Sequence, residues 1–289
     1  MKELNLFIEL TRLKKPIGFM LLFWPCAWGL TLAYDFSNNM NNYFFYLSLF
    51  FLGSVLMRSA GCIVNDISDK GFDKRVKRTK NRPIASNKIS IKLAVFYTII
   101  LCSLAFLVLI NFNNLTIILA LGSMPLAFTY PLMKRFTYWP QLFLGITFNY
   151  GLILGWISIT GEISVVPLIF YLGAIFWTLG FDTIYGYQDI KDDEIIGIKS
   201  TSIKFKKNPK LFLNICYLIF ITSLIITGLL MNFNYLFYLF ILVPIIHLFL
   251  YQIYGFNFKE PLNCFKIFKS NNFLGLIILF NIAIGKIFI

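Results

Sequence analysis

The chain has 289 residues, of which 58% are hydrophobic and only 13% are charged, and its mean hydropathy is +0.74. Soluble domains usually carry about 25% charged residues, so the polar residues here are too few to cover a water-facing surface. The composition therefore excludes a soluble globular protein. The net charge of +13 does not indicate nucleic-acid binding, because the bases follow the loop pattern described below.

Nine apolar segments follow one another along the chain, and each is about as long as a helix that crosses a bilayer. They lie at about residues 16–35, 42–63, 90–111, 114–132, 139–159, 164–182, 211–231, 234–255 and 272–288. The first is longer than the core of a cleaved signal and is predicted to stay in the membrane. The sequence predicts an all-α, polytopic transmembrane bundle of about nine helices, with residues 1–289 forming a single domain.

The bases are concentrated in alternate loops. Of the 26 Lys and Arg residues, 25 lie in or beside the loops on one side of the predicted bundle, and only Lys286 lies on the other. Bases accumulate on the cytoplasmic side of membrane proteins, so the N-terminus is predicted to be cytoplasmic. Of the 13 acids, 11 lie on this same side, with Asp35 and Glu162 as the exceptions.

The first acidic cluster follows the second apolar segment. Asn65, Asp69 and Asp73 are four residues apart, so on a continuing helix they share one face. Three oxygen-bearing side chains at a membrane boundary are costly unless a cation neutralises them. Mg²⁺ is suitable because it takes one or two carboxylates together with waters and substrate phosphates. The spacing predicts a Mg²⁺ site that binds a diphosphate.

The second acidic cluster follows the sixth apolar segment, on the same side. Asp182, Asp189 and Asp193 are seven and four residues apart and again share one helical face, whereas Asp192 and Glu194 point away. Two such faces can converge on one cavity and hold two metal ions across a diphosphate. The alternative is that these acids are solvated loop charges. Two helix-spaced clusters on one side favour the metal site.

Bases follow both clusters, and such residues can bind phosphate oxygens. Most of them also fit simple anchoring at the cytoplasmic face. The candidates for substrate binding are Lys74, Arg78, Arg82 and Lys199. Lys134 and Arg135 stand in a short loop, from which they can reach the cavity or the lipid headgroups. Arg12, Lys14 and Lys15 are interpreted as anchors of the first helix.

Longer stretches around these residues resemble the UbiA family of membrane prenyltransferases. The NDxxDxxxD motif of that family, with its basic tail, is matched by MRSAGCIVNDISDKGFDKRVKRTKNRPIAS, and its second Asp motif is matched by FDTIYGYQDIKDDEIIGIKST. Three further stretches resemble the branch of this family that prenylates 4-hydroxybenzoate: KKPIGFMLLFWPCAWGL, YPLMKRFTYWPQ and CFKIFKSNNFLGL. The resemblance runs nearly end to end, with no departure at the metal-binding positions.

The resemblance implies transfer of a long polyprenyl group from polyprenyl diphosphate to the ring carbon ortho to the hydroxyl of 4-hydroxybenzoate, in ubiquinone synthesis. It implies Mg²⁺ as cofactor, bound by Asn65, Asp69, Asp73, Asp189 and Asp193. It implies catalytic roles for Asp69, Asp73 and Asp189, a supporting role for Asp182 in substrate binding, and a catalytic place for Arg135 at the substrate end. It also implies a bacterial inner membrane, with the active site at the cytoplasmic face.

Two alternatives remain open at this point. Within the family, the acceptor can be another ring, such as a naphthoate or a homogentisate, because acceptor choice depends on a few pocket contacts. From a different class, a membrane transporter can also use carboxylates. Transport sites generally lie near mid-bilayer, whereas these acids cluster at helix ends. Activity that needs Mg²⁺ but no ion gradient would distinguish the enzyme from the transporter.

Overall fold

The computed structural model describes residues 2–287, and within that range the chain is helical, with no strand. It begins with a short helix, α1 (Lys2–Thr11), which leads to the first apolar helix, α2 (Ile17–Ala33). A 3₁₀ turn over Tyr130–Arg135 follows the sixth helix. The other helices of the first half are α3 (Met40–Ser68), α4 (Lys70–Asp73), α5 (Ile91–Leu109), α6 (Asn114–Thr129) and α7 (Pro140–Thr160).

The second half is also helical. A π-helix over Ile246–Tyr254 continues its last short helix. The α-helices are α8 (Val165–Gly186), α9 (Ile190–Ile196), α10 (Thr201–Lys204), α11 (Pro209–Leu230), α12 (Tyr235–Phe240), α13 (Leu242–Ile245) and α14 (Pro261–Ile287). In the described residues, 8 helical stretches are long and apolar enough to cross a membrane, and α2 is a shorter apolar helix of 17 residues. The prediction of an all-α bundle of about nine helices is confirmed, and the chain is an integral, multi-pass membrane protein.

Polar caps define where several helices begin and end. Ser90, Asn113 and Ser164 each accept a hydrogen bond from a backbone N–H in the first turn of α5, α6 and α8. These bonds satisfy donors that have no partner inside the helix. At the other end of α7, Gly161 takes the left-handed conformation with φ 69°. Glycine adopts it without a Cβ penalty, so the chain can turn directly into the next helix.

Aromatic side chains from α2, α8 and α11 fill the centre of the bundle. Trp28, Trp177 and Phe220 are fully buried, and their ring centroids are 5.1, 6.0 and 6.3 Å apart. Helix α2 also approaches α7 so closely that a Cβ on Gly29 would lie 1.9 Å from the carbonyl oxygen of Leu152. Small residues permit such close approach between membrane helices. This packing holds together α2, α7 and α8, three of the helices that contribute to the site.

Three helices extend beyond the apolar segments predicted for them. Helix α3 continues to Ser68 and α8 continues to Gly186, while α14 begins at Pro261 rather than near residue 272. Hydropathy marks only the part of a helix that lies in the hydrocarbon core. The backbone hydrogen bonds continue into the polar interface, where water and charged side chains are accessible. These extensions carry many of the residues of the site.

Candidate active site

A cavity of about 1080 Å³ lies where α3 and α8 end, on the side of the bundle that carries most of the bases. Its walls come from both ends of the chain, since α1 and α2 contribute as well as α8 and α14. The residues predicted for the site that line it are Asn65, Asp69, Asp73, Arg78, Arg82, Asp182, Asp189, Asp193 and Lys199. The two acidic clusters, which are far apart in sequence, therefore share one cavity.

The first acidic cluster keeps its helical spacing although α3 ends within it. Asp69 is the C-cap of α3, and α4 starts directly after it. The N–H of Asp69 donates to the carbonyl oxygen of Asn65 at 2.9 Å, and the N–H of Asp73 donates to the carbonyl oxygen of Asp69 at 2.8 Å. These i to i−4 bonds preserve the shared face. Both aspartates are buried, with 2% and 6% of their surface exposed.

Bases hold the carboxylates of the first cluster. Lys134 donates a hydrogen bond to Asp69, and Arg82 donates one to Asp73 at 2.9 Å. Arg82 also donates to Asp66, a buried neighbour, at 3.1 Å. Burial raises the pKa of Asp73 above its ordinary value, while the charge of Arg82 acts to lower it. Paired positive charge thus offsets part of the cost of burying these acids.

In the second cluster, Asp182 lies on α8, whereas Asp189 is the residue before α9. The continuous helical face predicted for Asp182, Asp189 and Asp193 is therefore interrupted where α8 ends. Asp189 is bound by Arg78. The Nε of Arg78 donates to both of its carboxylate oxygens, at 2.9 and 2.8 Å, and Nη1 of the same guanidinium donates to the hydroxyl of Tyr185 at 3.1 Å. Arg78 therefore ties the loop after the first cluster to the second cluster. Burial, and after it the charge of Asp189, raises the pKa of Asp193 to about 6. A nearby cation would favour its charged form.

Two of the predicted site residues do not line the cavity. Lys74 is exposed. Arg135 is also exposed, and it donates a hydrogen bond to the carbonyl oxygen of Ser68 at the end of α3. Its neighbour Lys134 reaches the cavity instead, where it binds an acid of the first cluster. The acids expected to point away also lie outside the cavity lining: Asp192 and Glu194.

Several charged residues of the cavity are absent from the sequence-based prediction of the site, among them Arg12, Arg58 and Asp66. Arg12, interpreted above as an anchor, donates a hydrogen bond to Asp66. Arg58 lies inside α3, with its guanidinium 5.2 Å from the ring centre of Phe148. Its Nε is buried and has no hydrogen-bond partner among residues 2–287. A base inside an apolar run is the signal that could have identified Arg58, because such charges usually serve function.

The carboxylates suit a divalent cation that is shared with a substrate. Across the described part of the chain, no three side chains of Asp, Glu, His or Cys lie close enough to enclose a metal ion by themselves. Mg²⁺ does not require such a cage, because waters and phosphate oxygens complete its coordination. The Oδ1 atom of Asp69 is buried and has no hydrogen-bond partner within residues 2–287, so its lone pairs are available to a cation. The all-oxygen donor set fits a hard divalent ion.

Comparison with known proteins agrees with these features. The model of the UbiA prenyltransferase family matches residues 22–277, so the chain belongs to this family. The mitochondrial 4-hydroxybenzoate polyprenyltransferase of Homo sapiens is 41% identical over 287 residues, which cover 99% of this chain and 76% of that protein. The 4-hydroxybenzoate geranyltransferase 1 of Lithospermum erythrorhizon is 40% identical over 290 residues, which cover 99% of this chain and 92% of that protein.

Solved structures show the same fold. The apo structure of a UbiA homolog from Aeropyrum pernix K1 superposes with a TM-score of 0.76 at 22% identity, covering 93% of this chain and 98% of that one. The structure of a UbiA homolog from Archaeoglobus fulgidus bound to GPP and Mg²⁺ gives a TM-score of 0.69 at 17% identity, covering 96% and 99%. The family resemblance predicted from the motifs is confirmed.

Proposed function

We propose that this chain transfers a polyprenyl group from polyprenyl diphosphate to the ring carbon ortho to the hydroxyl of 4-hydroxybenzoate, as a Mg²⁺-dependent step of ubiquinone synthesis. One observation carries the proposal: two carboxylate clusters with their bases face a single cavity, and a half-buried arginine, Arg58, lies deeper in the same cavity. The relatives that share about 40% of the sequence are named for prenyl transfer to 4-hydroxybenzoate, which supports the choice of acceptor.

The diphosphate would bind at the outer end of the cavity. The residues that would hold Mg²⁺ there are Asn65, Asp69, Asp73, Asp189 and Asp193. The metal, when bound, supplies positive charge that favours departure of the diphosphate. Arg78, Arg82 and Lys134 can donate to phosphate oxygens in place of the carboxylates that they bind in this structure. Lys199 adds a further positive charge to the same wall.

The acceptor would bind deeper, against Arg58. This residue lies seven positions before Asn65 on α3, about 10 Å toward the bilayer along the helix axis. Its side chain lines the cavity and forms no ion pair within residues 2–287, and a guanidinium matches the planar geometry of a carboxylate. Phe148, whose ring centre is 5.2 Å from the guanidinium of Arg58, and Phe181 line the cavity and offer apolar surface to an aromatic ring. We assign binding of the 4-hydroxybenzoate carboxylate to Arg58.

An apolar cavity of about 220 Å³ would take the first part of the prenyl tail. It lies between α2, α3, α5, α6 and α7, inside the membrane-spanning part of the bundle. Arg58, Tyr130 and Phe148 line both this cavity and the polar one. The polar diphosphate and the apolar tail can therefore lie on opposite sides of these three residues. The new carbon–carbon bond would form where the two cavities meet, in a place with few waters to compete for the allylic cation.

The orientation in the membrane is also a proposal. We propose that the active site lies at the cytoplasmic face of a bacterial inner membrane, with a cytoplasmic N-terminus. The concentration of bases around the cavity supports this orientation. Fractionation of the source cells, with protease added to sealed membranes of each orientation, would test both points. We also propose that residues 1–289 act as a single domain, because the cavity uses side chains from Asn5 to Lys269.

The function is tested with membranes that contain the chain, labelled 4-hydroxybenzoate and a polyprenyl diphosphate. We expect a lipid-soluble labelled product that requires Mg²⁺, disappears with EDTA and forms without an ion gradient. Asp69→Ala and Asp189→Ala should each abolish turnover, while Asp35→Ala, an exposed acid at the opposite face, should not. Absence of product with 4-hydroxybenzoate, together with product from a naphthoate or a homogentisate, would overturn the acceptor assignment.

A further inference from the structure

Asp182 lies deeper in the bundle than the other carboxylates of the cavity. It is part of α8, four residues before the helix ends at Gly186, which is about 6 Å along the helix axis. It lines the cavity, as do Phe148 and Phe181. Ionisable side chains within membrane-spanning helices are costly to maintain and usually have a function.

No base binds Asp182, which distinguishes it from most acids of the cavity. Each of the following cavity acids forms an ion pair: Asp66, Asp69, Asp73 and Asp189. Asp182 forms neither an ion pair nor a side-chain hydrogen bond within residues 2–287, and the positive charge that acts on it is that of Arg58. Its carboxylate lone pairs are therefore free to accept a proton.

Asp182 and Arg58 have matching positions relative to the two clusters. Arg58 precedes Asn65 by seven residues on α3, and Asp182, on α8, precedes Asp189 by seven residues along the chain, with α8 ending at Gly186 between them. Both therefore lie on the bilayer side of the proposed diphosphate site. Asp193 also lacks an ion pair, but it lies on α9, at the outer end of the cavity. Asp182 is the free carboxylate at the depth where we place the acceptor ring.

The proposed reaction requires a base at that depth. When the ring carbon of the acceptor bonds to the allylic carbon, it still carries its hydrogen, and the ring carries a positive charge. The hydrogen must leave as a proton to restore aromaticity. Carboxylates whose lone pairs are engaged by guanidinium, ammonium or metal are weaker bases, because these partners favour the charged form. A carboxylate free of such partners is a better proton acceptor.

We propose that Asp182 is the catalytic residue that removes this ring proton, an inference that rests on the proposed function. The carbon–oxygen bond of the donor breaks, its electron pair leaves with the diphosphate, and the ring carbon bonds to the allylic carbon. A carboxylate oxygen of Asp182 then accepts the ring hydrogen as a proton, and the electron pair of the C–H bond returns to the ring. The proton passes from Asp182 to water in the polar part of the cavity.

The test compares ring-deuterated with ordinary 4-hydroxybenzoate in Asp182→Asn and in the unchanged enzyme. We expect kcat of Asp182→Asn to fall about 100-fold or more, a loss typical of a missing general base. We also expect the ratio of the rates with ordinary and deuterated acceptor to rise above that of the unchanged enzyme, because proton removal becomes the slow step. Binding of a prenyl diphosphate analogue with Mg²⁺ should be unchanged.

Asp193→Asn is the matched control. It should raise the KM for polyprenyl diphosphate and leave the isotope ratio unchanged, because it alters the outer end of the cavity. The proposal is overturned if Asp182→Asn keeps the isotope ratio of the unchanged enzyme, or if it no longer binds the prenyl diphosphate analogue. If Asp182→Asn does not accumulate in membranes, Asp182→Glu decides. A partial rate with the isotope ratio raised supports the proposal, since a displaced base slows proton removal, and a partial rate with the ratio unchanged overturns it.

Failure of the proposed function gives a different result from failure of this inference. If the unchanged enzyme does not prenylate 4-hydroxybenzoate, the acceptor assignment fails, whatever Asp182→Asn does with another acceptor. If the unchanged enzyme does so and Asp182→Asn is as fast, only the role of Asp182 fails.

Discussion

Arg12 donates a hydrogen bond to Asp66 and thereby joins the end of the N-terminal helix to the end of α3 that borders the cavity. Arg12 takes the left-handed conformation, with φ 56°, which costs energy for a residue with a Cβ. Asp66 is buried, and it also accepts a hydrogen bond from Arg82 at 3.1 Å. Because α1 also lines the cavity with Asn5 and Glu9, the Arg12 contact holds one wall of the active site in place.

Replacing Arg12 should loosen this wall. We expect Arg12→Ala to lower kcat/KM for polyprenyl diphosphate about 10-fold, which corresponds to about 1.4 kcal/mol. Arg82 still holds Asp66 in this variant, so the protein should remain in the membrane in normal amounts. The kinetic constants are measured in membranes, and limited proteolysis should show faster cleavage within residues 2–11.

Two further variants separate the contact from the backbone strain. Arg12→Gly relieves the left-handed strain but also lacks the guanidinium, so it should resemble Arg12→Ala in activity. Lys92→Ala removes an exposed base that has no ion pair within residues 2–287, and it should have no effect. Wild-type kinetics in Arg12→Gly would show that the contact with Asp66 does not hold the wall.

Lys134 and Arg135 are adjacent bases with different positions, and they offer a direct comparison. Lys134 lines the cavity and binds Asp69, whereas Arg135 lies outside and donates to the carbonyl oxygen of Ser68. We expect Lys134→Ala to lower kcat/KM about 100-fold, because it removes a charge that can bind phosphate and leaves Asp69 buried without its partner. Arg135→Ala should cost less than about 10-fold.

Steady-state kinetics with varied polyprenyl diphosphate would measure both variants. The resemblance to the family implies that Arg135 contacts the substrate. A larger loss of kcat/KM in Arg135→Ala than in Lys134→Ala would support this substrate contact instead. Lys134→Arg is a useful third variant, since it keeps the charge and should retain more activity than Lys134→Ala.

The parts that depend on local periodicity are predictable from the sequence. The helices follow from runs of apolar residues, and the faces of Asn65 and Asp69 follow from a four-residue spacing that persists where α3 ends. The pairing of Arg12 with Asp66 is not predictable in this way, because the two residues are 54 positions apart and no local pattern links them. The place of Arg58 in the cavity is also not predicted, but for another reason. When bases are counted to assign the cytoplasmic side, Arg58 is counted as one more base at a helix end.

Lys286, the one base on the far side of the bundle, should stabilise the fold. Its ammonium donates to the carbonyl oxygens of Leu32 and Tyr34, at 2.8 and 2.5 Å, where α2 ends. These carbonyls have no partner within the helix and lie at the negative end of its dipole. We expect Lys286→Met to lower the free energy of unfolding by about 1.5–3 kcal/mol, the usual value for hydrogen bonds to a charged group.

Thermal unfolding in detergent, followed by residual activity after heating, would show this loss as a lower midpoint. Activity measured before heating should match the unchanged enzyme, because Lys286 lies at the opposite end of the bundle from the cavity. Lys92→Met, a change of the same type at an exposed position, should not alter the midpoint. An unchanged midpoint in Lys286→Met would mean that the hydrogen bonds of the ammonium only offset the cost of removing it from water, and that they do not stabilise the fold.

Gly18 offers a way to move Arg58 without removing its charge. A Cβ placed on Gly18 would lie 2.8 Å from the Nε atom of Arg58, closer than real contacts allow. Gly18→Ala should therefore displace the guanidinium by a few tenths of an ångström or more while the helix, α2, remains intact. If Arg58 binds the acceptor carboxylate, the KM for 4-hydroxybenzoate should rise about 10-fold, since a misplaced ion pair loses roughly 1.4 kcal/mol.

The KM for polyprenyl diphosphate should stay within about twofold of its original value, because the diphosphate site lies about 10 Å away along α3. Gly122→Ala is the matched control, since a Cβ there meets nothing within 4 Å, and it should leave both constants unchanged. A bulkier Gly18→Val should raise the KM for 4-hydroxybenzoate further. If Gly18→Ala instead weakens both substrates equally, the guanidinium of Arg58 supports the whole cavity, and the acceptor carboxylate binds elsewhere.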